Sequence, residues 1–364
     1  MIKTVVIGVA VLLVLQHVLS LIYGLGYHKW AYNHRPGPCR VVPGIETGSE
    51  DIHVLASGLA LITSGIELAK MGLMMDPSAL KWKGRIYAFD LNNPTGNVTE
   101  VPILGPFDKS DFRPHGISVW QDQSQTRVFV VNHKKTHEAI EIFQFDEEMR
   151  TLTFLHSITG PSLRSVNDVV AVGPDAFYFT NDGYNVQFLR RFLETLFKFP
   201  WGNVVFYDDK VGHGTAVVKR GFGPNGINIS PDKRFIYVAS PLVGTLTIYE
   251  RQPDNLLNPV QVIDLGTGVD NIYVDPATGD LWVACHPIGH QSHHHFKDFT
   301  QHSTSQVLRV RLSSQSIPFS VDISEAYVDD GKQVSGSSTA IFYNNQLLIG
   351  TVCHKLAHCQ VLAF

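Results

Sequence analysis

Four tetrapeptides of one kind recur along this chain, each opening on a polar side chain suited to hard metals. They are His115-Gly116-Ile117-Ser118, Asn167-Asp168-Val169-Val170, Asn225-Gly226-Ile227-Asn228 and Asp270-Asn271-Ile272-Tyr273. Each is followed by a turn and a run of β-formers, over residues 127–131, 177–180, 235–239 and 281–284. Pro174-Asp175, Pro231-Asp232 and the stretch 276–280 supply three of the turns. A fainter copy starts at Glu50-Asp51-Ile52 and another at Ser337-Ser338-Thr339, ahead of residues 346–351. Starts at 50, 115, 167, 225, 271 and 337 leave intervals of 65, 52, 58, 46 and 66 residues. Strand–turn–strand units at that period predict an all-β, six-bladed β-propeller with a central channel. Such a fold gathers the polar openings, scattered over more than 200 positions, at one end of the channel.

With 364 residues the chain needs no second folded domain, since one such propeller uses about 320. A net charge of −4, without a long basic run, argues against nucleic-acid binding, which requires a basic face. Residues 4–25 are almost wholly apolar, and no small-x-small cleavage site follows them. We expect residues 1–27 to be an uncleaved signal anchor and residues 28–364 to be the propeller. A homo-oligomer is left open.

Cys39 and Cys359 lie at the two ends of the expected propeller, where the chain must close its ring within one blade. A bridge there would close a loop of about 320 residues, worth up to ~5 kcal/mol on the chain-entropy account. The alternative is four reduced cysteines in a cytosolic protein, and the apolar leader weighs against it. Cys285 and Cys353 are expected inside strands as buried free thiols. Asn97-Val98-Thr99 is a candidate glycosylation site; Asn228-Ile229-Ser230 falls inside a repeat and is expected to stay unmodified.

The residues that open the repeats, Glu50, Asp51, Asn167, Asp168, Asn225, Asp270 and Asn271, comprise carboxylates and amides without a cysteine. Oxygen-only ligation suits calcium or magnesium and does not suit zinc or copper. Neighbours on a strand point in opposite directions, so Glu50 and Asp51 are expected to serve different ions. Two ions follow, one taking Glu50, Asp270, Asn167, Asn225 and Asn271, the other Asp51 and Asp168. Each then meets two carboxylates, and none is left buried and unpaired.

The segment 45–51, Pro114-His115-Gly116-Ile117-Ser118, Val131-Asn132-His133, Asn167-Asp168, the segment 225–232, Val269-Asp270-Asn271 and Cys285-His286-Pro287 closely resemble the paraoxonases. These are calcium-dependent lactonases and arylesterases of animals. The resemblance runs from about Cys39 to Cys359. It implies a six-bladed propeller holding two calcium ions, a bridge from the N-terminal to the C-terminal segment, and a retained leader. It assigns the catalytic calcium to Glu50, Asn167, Asn225, Asp270 and Asn271. The structural calcium falls to Asp51, Asp168 and the carbonyl of Ile117. It further implies that His115 and His133 activate water; His286, after a strand in the Asp270 blade, is expected to line the same mouth. No Gly-x-Ser-x-Gly elbow occurs, so a serine acyl-enzyme is disfavoured. Direct attack by Asp270 or Glu50 is the rival route. The substrates expected are small apolar lactones or aryl esters, with a phosphotriester side activity.

Residues 186–199 break the repeat. Phe188, Leu189, Phe192, Leu193, Leu196 and Phe197 follow helical spacing and predict an amphipathic helix. It would either pack on the propeller or lie on a membrane or lipoprotein surface. Residues 286–302 are rich in histidine and look like a transition-metal tract, but without a cysteine among them they read as a polar loop at the rim. Leu68, and Gly183 after Asp182, depart from residues that face substrate in relatives, so acyl-chain preference does not transfer. The competing function is a membrane-anchored propeller that binds partners as a chaperone would, with calcium purely structural; gluconolactonase-like propellers are a third reading. The leader and the bridge place the body outside the cell or in a lumen.

Overall fold

The computed structural model describes residues 2–45, 47–66, 83–185, 187–313 and 317–362. Its strands make six sheets. From the axis outward, blade one comprises Ile52–Val54, Leu59–Ser64, Arg85–Asp90 and Thr99–Glu100. Blade two comprises Pro114–Gln121, Thr126–His133, Glu138–Asp146 and Thr151–Ile158, with Ile103–Leu104 added in parallel at its outer edge. Blade three is Val166–Ala171, Ala176–Asn181, Gly202–Asp208 and His213–Gly221. Blade four is Ile227–Ile229, Phe235–Ser240, Thr245–Arg251 and Leu257–Asp264. Blade five is Gly268–Val274, Leu281–His286, Ser305–Ser313 and Ser320–Asp329. Blade six is Ser337–Tyr343, Gln346–Thr351 and Leu356–Gln360, completed by the N-terminal strand Cys39–Val42. Innermost strands of successive blades touch in order, and blade six returns to blade one, so the ring is closed.

The core is six wedges between blades. Successive side chains on a strand point to opposite faces, so the second strand of each blade feeds two wedges. Val128 and Val130 pack with Leu61, Ile86 and Phe143 between blades one and two. Phe129 and Val131 pack with Val169, Phe177 and Phe179 between blades two and three. Leu281 and Val283 likewise face blade four, while Trp282 and Ala284 face blade six. A strand buried on both faces reads as a continuous apolar run.

Cys39 and Cys359 are partners in register across the two outermost strands of blade six and are disulfide-bonded. Cys285 and Cys353 are free and buried. Cys285 is in a strand as expected, but Cys353 stands in the bend after Gln346–Thr351, where the chain turns back for the next strand.

Three α-helices occur among the described residues, all on or beside one rim. The first, α1 (Ile2–Gly24), has no buried residue and is long and apolar enough to cross a membrane by length and composition. The second, α2 (Phe188–Leu196), follows the second strand of blade three. The third, α3 (Gly289–Lys297), follows the second strand of blade five. That last element replaces the expected polar loop at residues 286–302; there Ser292 and His295 are buried.

The bridge spans a sequence separation of 320. Replacing both Cys39 and Cys359 by Ser is expected to lower unfolding free energy by up to about 5 kcal/mol. A urea midpoint equal to wild type would show that ring closure does not depend on it.

Candidate active site

Within an antiparallel blade, the start of the first strand and the end of the second lie at the same end of the channel. The repeat openings and the strand-ending His133 and His286 are therefore brought together. Contacts can be followed around the ring. Glu50 Oε1 accepts from Asn271 Nδ2 at 3.1 Å and lies 3.2 Å from His115 Nε2. Thr180 Oγ1 donates to the Asn225 carbonyl at 2.6 Å, tying blade three to blade four. Ser338 Oγ donates to the Glu50 carbonyl at 2.6 Å, so the sixth blade contributes as well.

Two glycines make this convergence possible. A Cβ on Gly226 would stand 2.6 Å from both Asn271 Cα and the Asp270 carbonyl oxygen; one on Gly116 would stand 2.7 Å from Asp168 Cα. The His-Gly and Asn-Gly pairs are thus points of close backbone approach between blades.

The carboxylates divide into two groups. Glu50 and Asp270 face the rim beside the histidines. Asp51 and Asp168 turn the other way and repeat one another: each accepts from the following N–H, of Ile52 at 2.8 Å and Val169 at 2.7 Å. Each also accepts from the next blade, Asp51 from the Ile117 N–H at 2.9 Å and Asp168 from the Ile227 N–H at 2.8 Å. Both line a cavity of about 170 Å³ with Ile117, Ser118 and Ile227.

Burial, then the Asp270 carboxylate, raises Glu50 well above the usual carboxylate range. Burial and Glu50 push Asp51 up to about 8, and burial and Asp51 raise Asp168. Charges so placed need a proton or a cation. The donor set fits a cation. Glu50 Oε2 and the side-chain oxygens of Asn167, Asn225 and Asn271 are buried without a hydrogen-bond partner among the described residues. Amide and carboxylate oxygens orphaned together are the donors a hard divalent ion takes.

His115 and His133 are both buried, and His115 Nδ1 lies 2.8 Å from His133 Nε2. His133 Nδ1 in turn lies 2.6 Å from Glu138 Oε2. Burial, then His133, pushes His115 down to about 3. Burial alone would lower His133 too, but Glu138 beside it outweighs that and lifts it above the ordinary histidine value. His286 Nε2 is 2.8 Å from Asp270 Oδ2. Glu138, which our reading of the sequence passed over, carries a legible signal: a four-residue hairpin connection sets it directly opposite His133.

The remaining candidates sit around this centre. Asp182 is held by Arg191 of α2 at 2.8 Å and by Ser165 Oγ at 2.5 Å. Gly183 is buried beneath Arg191 and Glu194. Leu68 and Val186 lie outside the described residues. On α2, buried Glu194 accepts from the N–H groups of Tyr184 and Asn185, whereas Leu189 and Phe192 are 66% and 52% exposed. Arg191 and Glu194 are thus on the docked side while large apolar side chains face out, the reverse of a soluble amphipathic helix. Its end meets α1, where His17 Nε2 lies 3.0 Å from the Leu196 carbonyl and Lys198 Nζ donates to Ser20 Oγ at 3.0 Å.

Fold and site together define a six-bladed propeller with a buried oxygen-rich cluster and a histidine pair at its channel end. The family model described as arylesterase matches residues 34–361. Serum paraoxonase/arylesterase 2 of Gallus gallus is 40% identical over 325 residues, covering 89% of this chain and 88% of that protein. Serum paraoxonase/lactonase 3 of Homo sapiens is 37% identical over 328 residues, 90% and 89%. Serum paraoxonase/arylesterase 2 of Homo sapiens is 35% identical over 357 residues, 98% of each chain, a span that includes most of α1. The chain belongs to the arylesterase family. In fold it also matches a luciferin-regenerating enzyme, with a TM-score of 0.55 at 11% identity over 90% of this chain and 96% of that one.

The raised Asp51 gives a pH test. Its folded carboxyl holds a proton up to about 8, against 3.8 ordinarily, so its contribution is present at low pH and lost as pH rises through about 8. Chelated protein is expected to lose thermal stability over that rise, and added calcium to remove the loss. A pH-independent melting temperature after chelation would contradict this.

Proposed function

We propose that this chain is a calcium-dependent hydrolase of lactones and aryl esters, working where its channel opens. One observation carries the reading: buried, partnerless oxygens on Glu50, Asn167, Asn225 and Asn271 stand beside the His115–His133 pair. These four residues with Asp270 would hold a catalytic calcium. Asp51 and Asp168, with the Ile117 carbonyl, would hold a structural one. When bound, the catalytic ion supplies Lewis acidity, polarising an ester carbonyl and offsetting the charge that develops on its oxygen.

The chain's own groups do the rest. His115 is the base, taking at Nε2 the proton of a water that attacks the carbonyl carbon. Its Nδ1–H passes a proton to His133 Nε2 at 2.8 Å. On collapse the pair returns that proton to the departing oxygen, so one water is consumed and both rings are restored. Asn271 steadies Glu50 through the 3.1 Å bond, and His286 steadies Asp270. A P=O group resembles C=O as an acceptor, which allows a phosphotriester side activity. A purely binding propeller with structural calcium would have no use for a buried histidine pair set 3.2 Å from the Glu50 carboxylate.

Apolar substrates are favoured by the setting. Residues 1–27 acting as an anchor, with the outward apolar side chains of Leu189, Phe192 and Leu193, would hold the rim against a membrane or lipoprotein surface. The bridge and the exposed Asn97, a site for an N-glycan, suit the extracellular or lumenal side.

Purified protein should hydrolyse phenyl acetate and a medium-chain δ-lactone with calcium present and stop on chelation. His115→Gln should lower kcat by about 10²–10⁴-fold. Turnover indifferent to chelation, or a His115→Gln enzyme of wild-type rate, would sink the reading. Gly226→Ala, whose Cβ would press on the backbone of Asp270 and Asn271, should weaken calcium binding by calorimetry. Unchanged affinity would mean that this close approach does not shape the site.

A further inference from the structure

We infer that Glu138 is a third member of the base, a positioning residue that sets which nitrogen of each histidine carries a proton. The inference rests on the reading of His115 and His133 given above. His133 closes the strand Thr126–His133 and Glu138 opens the next, Glu138–Asp146, so the two face each other in register. Glu138 Oε2 lies 2.6 Å from His133 Nδ1.

A carboxylate can only accept, so the proton in that contact belongs to His133 Nδ1. The Nε2 of neutral His133 is then an acceptor. The 2.8 Å contact with His115 must therefore be donated by His115 Nδ1. His115 Nε2, which lies 3.2 Å from Glu50 Oε1, keeps its lone pair when a cation holds that carboxylate, and this is the form a base needs. In the reversed arrangement His133 Nε2–H donates to His115 Nδ1, and His115 Nε2 is blocked by a proton. Two neutral imidazoles alone have little reason to choose between these states. The Glu138 carboxylate makes the choice.

The same placement serves the proton transfer. As water attacks, one of its O–H bonds breaks and a C–O bond forms; its proton goes to His115 Nε2, and His115 Nδ1–H moves to His133 Nε2. One positive charge then rests on His133, between two hydrogen bonds and against Glu138. No further reactant is required, because the proton returns along the same row to the leaving oxygen. Side-chain exposure rises along this row, from 2% at Glu50 and 6% at His115 to 10% at His133 and 19% at Glu138. The imidazolium thus forms toward solvent, away from the deepest carboxylate. Nearby cations are engaged elsewhere: Lys134 with Glu141 at 3.0 Å and Arg191 with Asp182 at 2.8 Å.

The test uses the full-length, calcium-loaded chain with Glu138→Ala and Glu138→Gln, phenyl acetate as substrate, and nitrogen-15 histidine NMR as a second readout. Glu138→Ala should lower kcat about 10- to 100-fold, the usual cost of losing an orienting partner, with KM and melting temperature unchanged. The His133 signals should move from the Nδ1–H form to a mixture. Glu138→Gln, whose amide oxygen accepts the same proton without a charge, should keep the tautomer and recover part of kcat. A Glu138→Ala enzyme of wild-type kcat, or one that loses kcat while His133 stays in the Nδ1–H form, overturns the inference. Should Glu138→Ala fail to fold, wild-type kcat in Glu138→Gln overturns the role of the charge. A His115→Gln enzyme of wild-type rate would instead remove the base itself, so the two failures are distinguishable.

Discussion

Buried like charge at the channel end is the constraint on which the rest of this structure depends. Glu50, Asp51, Asp168 and Asp270 are all buried, and the ring closure brings them to one axis. Bare, such a group would be far too costly to bury. Backbone N–H groups meet part of that cost at Asp51 and Asp168, each holding a neighbouring blade by a single bond. No group among the described residues meets it at Glu50 Oε2 or at the three asparagine oxygens. In the proposed reading the same residues register the blades and would present ligands. Loss of the cation should loosen the ring as well as stop chemistry.

The rim adds a second constraint. The α2 helix turns Arg191 and Glu194 inward, to Asp182 and to the Tyr184 and Asn185 N–H groups, and Leu189 and Phe192 outward. With α1 lying against its end, an apolar surface is built at the same end of the channel as the histidines. A lipid phase there would cover that surface and concentrate apolar esters at the site, so anchoring and substrate choice would share one cause.

Much of this was legible in the sequence because two periodicities are strong. The polar openings mark where each innermost strand begins. The apolar runs after them are second strands buried on both faces, as 128–131 shows by dividing its side chains between two wedges. The blade-six bridge follows from ring closure. Other features are not local. Amphipathic spacing at 188–197 cannot say which face docks; that depends on Asp182, Tyr184 and Asn185 meeting Arg191 and Glu194. The histidine-rich stretch looked like a loop because its composition is polar, yet α3 forms there and buries Ser292 and His295. Glu138 was missed because attention to repeat openings overlooks a residue across a hairpin.

The most direct measurement is a crystal structure grown with calcium and phased on its anomalous signal. The account predicts one peak among Glu50, Asn167, Asn225, Asp270 and Asn271, and a second between Asp51 and Asp168. Well-ordered density for these side chains with water alone between them, at saturating calcium, would contradict it.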